Sequence, residues 1–350
     1  MKNQNTLGFA IVGTGAIGEM HASAIADVPG AELRAVHDRS AASAAAFVEQ
    51  YPVRVEADLA GLLSSSDIDV VCVVTPSGAH AEIAVPALNA GKHVFCEKPL
   101  EINLERIDSM IEAAAANNRI LAAVFPSRLG IGARTVKAAV EAGRFGRLTL
   151  CSAYIKWWRT QQYYDEGGWH GTWALDGGGA MMNQAIHYVD LLQWLAGMPT
   201  RVHAFAGRLA HERIEVEDTL VANLQFGSGA LGVIECATSC SPGFSRRIEI
   251  CGEHGSAIIE DDTIKRWEFV EEEPDDERIR QGKVSSGLKG GTSDPKVVSN
   301  EGHRLQVEDL VGAVREGRPP VITGEGGRHA VAIVRAAYES AQSGLVVELG

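Results

Sequence analysis

The sequence predicts an α/β domain with a doubly wound parallel sheet over residues 1–125, followed by an α+β domain with an open, mainly antiparallel sheet over residues 126–350. Three observations carry this. Strand-like and helix-like segments alternate through the first third of the chain, the pattern of a parallel sheet covered on both faces. Beyond Pro126, strand-like segments follow one another with hairpin-sized gaps instead. And 350 residues exceed the length at which one hydrophobic core stops growing, so two domains are expected.

The apolar run Phe9 to Val12 is the first strand, and the loop Gly13-Thr14-Gly15-Ala16-Ile17-Gly18 opens the helix after it. Each glycine has its own reason: Gly13 for the tight turn, Gly15 for backbone approach to a pyrophosphate, Gly18 for close packing of helix on strand. The uncapped N–H groups and positive dipole end of that helix then face the pyrophosphate. A second strand ends at Asp38, twenty residues past Gly18, where a carboxylate accepts from a ribose 2′-hydroxyl. Strand, loop, helix, strand and acid in this order predict a bound dinucleotide, and the acid favours NAD. Arg39 directly follows, and an arginine there suits a 2′-phosphate, so NADP stays open as the alternative.

The β-branched run Val70 to Val74 is the next strand, His80 to Asn89 a helix, and His93 to Cys96 a strand. Pro86 either kinks that helix or marks its true start, and Gly91 supplies a left-handed cap. Leu104, Ile107, Ile111 and Ala114 follow a helical period, and Ile120 to Phe125 closes the first sheet. In the second half, strands are predicted over Leu148 to Trp158, Val202 to Arg208, Thr219 to Phe226, Ala230 to Cys236, Arg246 to Cys251 and Ser256 to Glu260. Two helices, Gly179 to Leu195 and Gly302 to Arg315, are placed with this sheet, and a last helix runs from Gly326 to Ala341. The stretch Glu271 to Ser299 is acidic, then rich in glycine and serine, and reads as a surface excursion.

Composition narrows the function. The chain has 45% apolar and 22% charged residues, which is a globular composition. No apolar run approaches a membrane span, and the short polar start, with no secretory segment behind it, makes the cytoplasm the expected compartment. A net charge of −13 repels a phosphate backbone, so neither nucleic acid nor an anionic membrane is an expected partner. Six scattered cysteines without zinc-site spacing read as reduced thiols, and no metal is predicted.

Glu97-Lys98-Pro99 lies directly after the strand His93 to Cys96, at the carboxyl edge of the parallel sheet where ligands of such sheets collect. Lys98 there faces the nicotinamide, whose positive ring favours the neutral amine, so Lys98 can exchange a proton near neutral pH. On the later helix, Asn183 and His187 are four residues apart and share a face. His187 can exchange a proton with a hydroxyl that is becoming a carbonyl. Asp190 either orients that imidazole or solvates the helix surface. Gly177-Gly178-Gly179 just before the helix permits close approach of backbone to a ligand.

In these segments the chain resembles the glucose-fructose oxidoreductase, inositol dehydrogenase and rhizopine-catabolism (Gfo/Idh/MocA) group of NAD(P)-dependent oxidoreductases over nearly its full length. The resemblance is carried by GTGAIG at 13–18, TPSGAH at 75–80, AGKHVFCEKPL at 90–100 and GGGAMMNQAIHYVDLLQWLAG at 177–197. It implies a Rossmann domain, then a sheet domain that supplies the substrate floor and the oligomer contact, with Lys98 and His187 at the catalytic positions. Many relatives carry an aspartate four residues before the histidine. Here Asn183 stands there, and an amide holds a substrate by hydrogen bonds without taking its proton. Thr75, Pro76 and His80 match positions lining the cofactor, and Glu97 belongs to the same cofactor edge. At Trp169, relatives often have a following arginine near the cofactor, which His170 replaces here.

Tyr154, Trp157, Trp158, Tyr163, Tyr164, Trp169 and Trp173 are four of the chain's six Trp and three of its six Tyr. Such density suits the apolar faces of sugar rings. Trp158, Arg159, Tyr164 and Trp169 are expected to face the cleft, with Arg159 able to reach an acidic or phosphorylated substituent. The reading is an NAD-dependent dehydrogenase that oxidises a secondary hydroxyl of a sugar, sugar derivative or cyclitol, with Lys98, His187 and Asn183 as its catalytic residues and Trp158, Arg159, Tyr164, Asn183 and His187 holding substrate. Which of Lys98 and His187 is the base stays open. Two alternatives remain: an enzyme that uses transient oxidation to cleave a glycosidic bond, and a non-catalytic nucleotide sensor. An exposed sheet face in the second domain suggests a homodimer or homotetramer.

Overall fold

Short runs of Val, Ala, Ile and Phe build the first sheet of the computed structural model, which describes residues 6–282 and 300–350. Its strands are β1 (Leu7–Val12), β2 (Ala31–His37), β3 (Arg54–Val55), β4 (Val70–Val73), β5 (His93–Cys96) and β6 (Leu121–Ala123). All pair in parallel, in the order β3-β2-β1-β4-β5-β6. Every residue of β4 is buried, as a strand covered on both faces requires. The order reverses between β1 and β4, so the loop after β1 opens at the switch point where ligands of doubly wound sheets bind.

The second sheet contains β7 (Leu148–Lys156), β8 (Pro199–Gly207), β9 (Thr219–Phe226), β10 (Leu231–Ala237), β11 (Arg247–Gly252), β12 (Gly255–Glu260), β13 (Thr263–Phe269) and β14 (Val347–Glu348). Its order is β13-β12-β11-β7-β10-β9-β8-β14, antiparallel except for the β7/β10 pair. Along β9 the residues alternate between buried and outward positions, as in a sheet with one covered face. Strand β13 was not predicted. Its hairpin turn is Asp261-Asp262, both with positive φ, which fits a two-residue primed turn but lacks the glycine that usually signals one.

The chain forms two compact units, residues 1–125 with 300–328 and residues 126–299 with 329–350. The helix Glu301–Glu316, predicted to accompany the second sheet, therefore belongs to the first unit. Its Val307, Leu310 and Val311 join Phe9, Ile11, Ile25 and Val36 in one buried cluster, and Asn300 Nδ2 donates to Ser23 Oγ at 3.0 Å. An apolar stripe states that a face must be covered but not by which partner. The helix Ile131–Glu141 was also unforeseen.

The helix His80–Asn89 runs through Pro86, which does not mark its start. The helix predicted from Gly179 is two pieces, a π-helical turn Ala180–Ala185 and an α-helix Ile186–Ala196. Of the predicted excursion 271–299, the part from 283 lies outside the described residues. The earlier part is anchored, because buried Asp276 accepts from Arg144 Nη1 at 2.8 Å and Trp267 Nε1 at 2.6 Å.

Candidate active site

The glycine loop shows three different reasons for glycine. Gly13 has φ +105° and a Cβ there would lie 2.6 Å from Val74 O; at Gly18 it would lie 2.5 Å from Gly13 O. At Gly15 a Cβ would meet nothing within 4 Å, so no packing within the protein demands glycine there. That open space, with a helix start at Ala16 that no side chain caps, is what a pyrophosphate needs. Gly15, Ala16 and Ile17 are exposed.

Asp38 is half-buried. Its Oδ2 accepts from Thr14 N at 2.8 Å and Thr14 Oγ1 at 3.0 Å, and its Oδ1 accepts from Ser40 N at 2.8 Å. Burial alone would raise the carboxyl, yet these donors hold it below its usual range. The result is an anion fixed between the glycine loop and the turn after β2. Arg39 is exposed.

At the ends of β4 and β5, Thr75 and Pro76 are half-buried, and Thr75 Oγ1 is buried with no partner among the described residues. An open glycine, an uncapped helix start and an orphaned hydroxyl at the switch point fit a bound dinucleotide. His80, expected along the cofactor, is buried and spent on backbone: Nε2 lies 2.9 Å from Thr75 O and Nδ1 3.0 Å from Pro99 O. It ties the two loops together. Glu97 is likewise turned inward, toward His21 and His303. Lys98 is half-buried and joined to Pro99 by a cis peptide.

In the second unit the candidates surround the start of the helix Ile186–Ala196. Asn183 and His187 are both half-buried, and Asn183 Nδ2 donates to Asp176 Oδ1. Asp176 itself is buried and accepts from Gly171 N at 2.8 Å. The bond sets which end of the Asn183 amide is nitrogen, and so where its carbonyl points. Asp176 escaped the sequence reading because it precedes the helical segment, with Gly177-Gly178-Gly179 between, so the period that relates Asn183 to His187 does not reach it. Glu217 and Tyr338 escaped it too. Glu217 accepts from Gly179 N, Met181 N and Tyr338 OH, each at 2.9 Å. A Cβ on Gly178 would lie 2.1 Å from Tyr338 OH, and one on Gly179 1.7 Å from Glu217 O. These two glycines are therefore required by the protein's own packing, not by a ligand.

Three further expectations are corrected. Asp190 neither orients His187 nor meets solvent; it is fully buried in a two-pronged ion pair with Arg128. Tyr164, expected in the cleft, is 5% exposed with its hydroxyl 2.8 Å from Thr238 Oγ1, a core position. Arg159 is also 5% exposed, between the rings of Trp157 and Tyr163 at 5.0 and 5.6 Å, and its Nη1 donates to Trp158 O. Half-buried Tyr163 takes the more open place, its hydroxyl accepting from Gln184 Nε2 at 3.2 Å. Trp158 is half-buried with its ring 5.9 Å from that of His211. Trp169 stacks on His170 at 4.1 Å.

Residues 7–125 match an oxidoreductase family with an NAD-binding Rossmann fold, and residues 133–258 match the GFO/IDH/MocA C-terminal domain. The WlbA dehydrogenase of Bordetella pertussis, solved in complex with NADH and UDP-GlcNAcA, is 34% identical, with a TM-score of 0.91 and 99% of each chain covered. The myo-inositol 2-dehydrogenase of Thermotoga maritima is 27% identical over 346 residues, 97% of this chain and 98% of that one. A 2,7-anhydro-N-acetylneuraminate hydratase of Mediterraneibacter gnavus is 28% identical over 359 residues, 96% of this chain and 94% of its own. With both halves matched and full-length relatives of this kind, the chain belongs to the Gfo/Idh/MocA family and is an oxidoreductase with an NAD-binding Rossmann domain.

Proposed function

We propose that the protein oxidises a secondary hydroxyl of a sugar derivative to a ketone, and that a nucleotide-linked acidic sugar is its substrate class. The observation that carries the reaction type is Lys98, an amine at the carboxyl end of β5 in the sheet whose switch point opens the glycine loop. The substrate class rests on the 34% identity, end to end, with a dehydrogenase solved with NADH and UDP-GlcNAcA. Bound NAD supplies the hydride acceptor. Lys98 and His187 divide the proton of the reacting hydroxyl: one removes it and the other stabilises the charge that develops on oxygen. Asn183, aimed by Asp176, holds the adjacent hydroxyl. Thr14 and Ser40 keep Asp38 anionic for the ribose, and Trp158 and Trp169 cover apolar faces of the sugar.

Lys98→Ala and His187→Ala should each lower turnover about 100-fold or more while NADH affinity, read by fluorescence titration, stays within about 3-fold. The assay is NAD reduction across nucleotide-linked uronic acids, free uronic acids, aldoses and inositols. Reduction fastest with the nucleotide-linked acids supports the substrate class; reduction with none of the panel overturns the dehydrogenase reading. The similarity to a hydratase keeps a second reading, transient oxidation without net NADH, which product formation at constant absorbance would reveal. For assembly, we propose that a second copy of this chain covers the outward face of the second sheet.

A further inference from the structure

We propose that Glu97 is a positioning residue for Lys98: one carboxylate oxygen is held by two imidazoles, His21 and His303, and the other takes the backbone N–H of Lys98, bracing the lysine turn against two helices. His21 Nε2 lies 2.9 Å and His303 Nε2 3.3 Å from Glu97 Oε1, and Lys98 N donates to Oε2 at 3.1 Å. All three side chains are buried, at 0% for His21, 7% for His303 and 8% for Glu97. The rings of His21 and His303 meet edge to face at 5.2 Å, and His21 packs on Phe95 of β5 in the same way. His21 sits on the helix Ala16–Ala26 that begins at the glycine loop, and His303 on the helix Glu301–Glu316. The brace therefore joins three parts of one unit: the cofactor helix, the lysine turn and a helix 206 residues further along the chain.

The chemistry supports a carboxylate held by two imidazole donors. Burial would raise Glu97, but the His21 and His303 hydrogen bonds hold it well below its usual range. Burial also lowers His21, so that ring is neutral and donates from Nε2. Two histidines and a carboxylate are also the donor set of a metal centre. A metal, however, would take the lone pair of each Nε2 and drive the proton to Nδ1. Neither His21 Nδ1 nor His303 Nδ1 has a partner among the described residues, so a metal would leave two buried N–H groups without acceptors. In the hydrogen-bonded triad the unpartnered atoms are lone pairs, a smaller penalty.

This inference deepens the proposed role of Lys98 and rests on it, but its test needs no substrate. The full chain is pulse-labelled with acetic anhydride at about pH 8, and acetylation of Lys98 is measured by mass spectrometry against Lys137 and Lys156 as internal references. Glu97→Gln leaves one acceptor oxygen for three N–H donors and removes the negative charge in the residue before Lys98; the loosened turn and the lost charge both favour a neutral, reachable amine, so Lys98 labelling should rise about 3-fold or more. His303→Leu, which keeps the anion and removes only a donor, should raise it in the same direction. His303→Gln, which restores an N–H near the position of Nε2, should return labelling to within about 1.5-fold of the parent. Unchanged labelling in the near-isosteric Glu97→Gln overturns the proposal, as does equal labelling in the Leu and Gln variants at position 303. Stoichiometric zinc in the purified protein, lost in both Glu97→Gln and His303→Leu, overturns it in favour of a metal. If no sugar is oxidised while the labelling pattern appears, the brace stands and the dehydrogenase reading alone falls.

Discussion

Gly15 and Gly18 stand three residues apart in one loop and are glycine for opposite reasons. At Gly18 the neighbour is the protein's own backbone, 2.5 Å from where a Cβ would sit; at Gly15 there is only space, and φ is −76°, which any residue adopts. Gly18→Ala should therefore cost about 1–3 kcal/mol of stability, measured by urea unfolding. Gly15→Val should leave unfolding unchanged and weaken NADH about tenfold or more, measured by fluorescence titration. Equal stability losses in the two variants would contradict this division. Both glycines were legible in the sequence because the motif encodes a local backbone path. The place of Asp38 beside the loop was legible for the same reason, whereas the burial of Tyr164 and Arg159 was not: side-chain direction in a dense aromatic segment depends on what packs against it.

At the scale of elements, the helix that carries His187 begins on a π-helical turn whose first N–H groups are served by Glu217 and Tyr338 rather than by a local cap. Burial, opposed by these donors, pushes Glu217 up to about 7 from 4.5. Its folded value lies above its unfolded one, so this contribution to stability is full below about 4.5 and is lost as pH rises through about 7. Glu217→Gln removes the titrating group while keeping the shape. The stability of the parent relative to Glu217→Gln should accordingly fall by on the order of 3 kcal/mol from below pH 4.5 to above pH 7. Parallel pH–stability curves for the two proteins would refute the assignment. The sequence showed the α-helix that carries His187, because a 3.6-residue period is local, but not the π-helical turn that holds Asn183. It did not show the support, because Glu217 and Tyr338 reach the helix start from 36 to 159 residues away.

For the whole molecule, the outward face of the second sheet is where association is proposed. Phe205 pairs with Val221 across β8 and β9, and Leu231 with Leu150 across β10 and β7. These four lie on one face and are 69%, 40%, 58% and 48% exposed, two apolar pairs for the proposed second copy to cover. Phe205→Glu with Leu231→Glu should shift the protein toward monomer in sedimentation velocity, with the fold retained by circular dichroism. A parent already monomeric at micromolar concentration would end that proposal. The two sheet types and the dinucleotide loop were determined by the sequence alone, since periodicity, turn residues and glycine spacing act over a few residues. Tertiary structure alone decided that the helix Glu301–Glu316 completes the first unit, that Asp190 pairs with Arg128, and that Glu97 faces two histidines. Each of these depends on which distant surface covers a buried group, and local sequence carries no record of that.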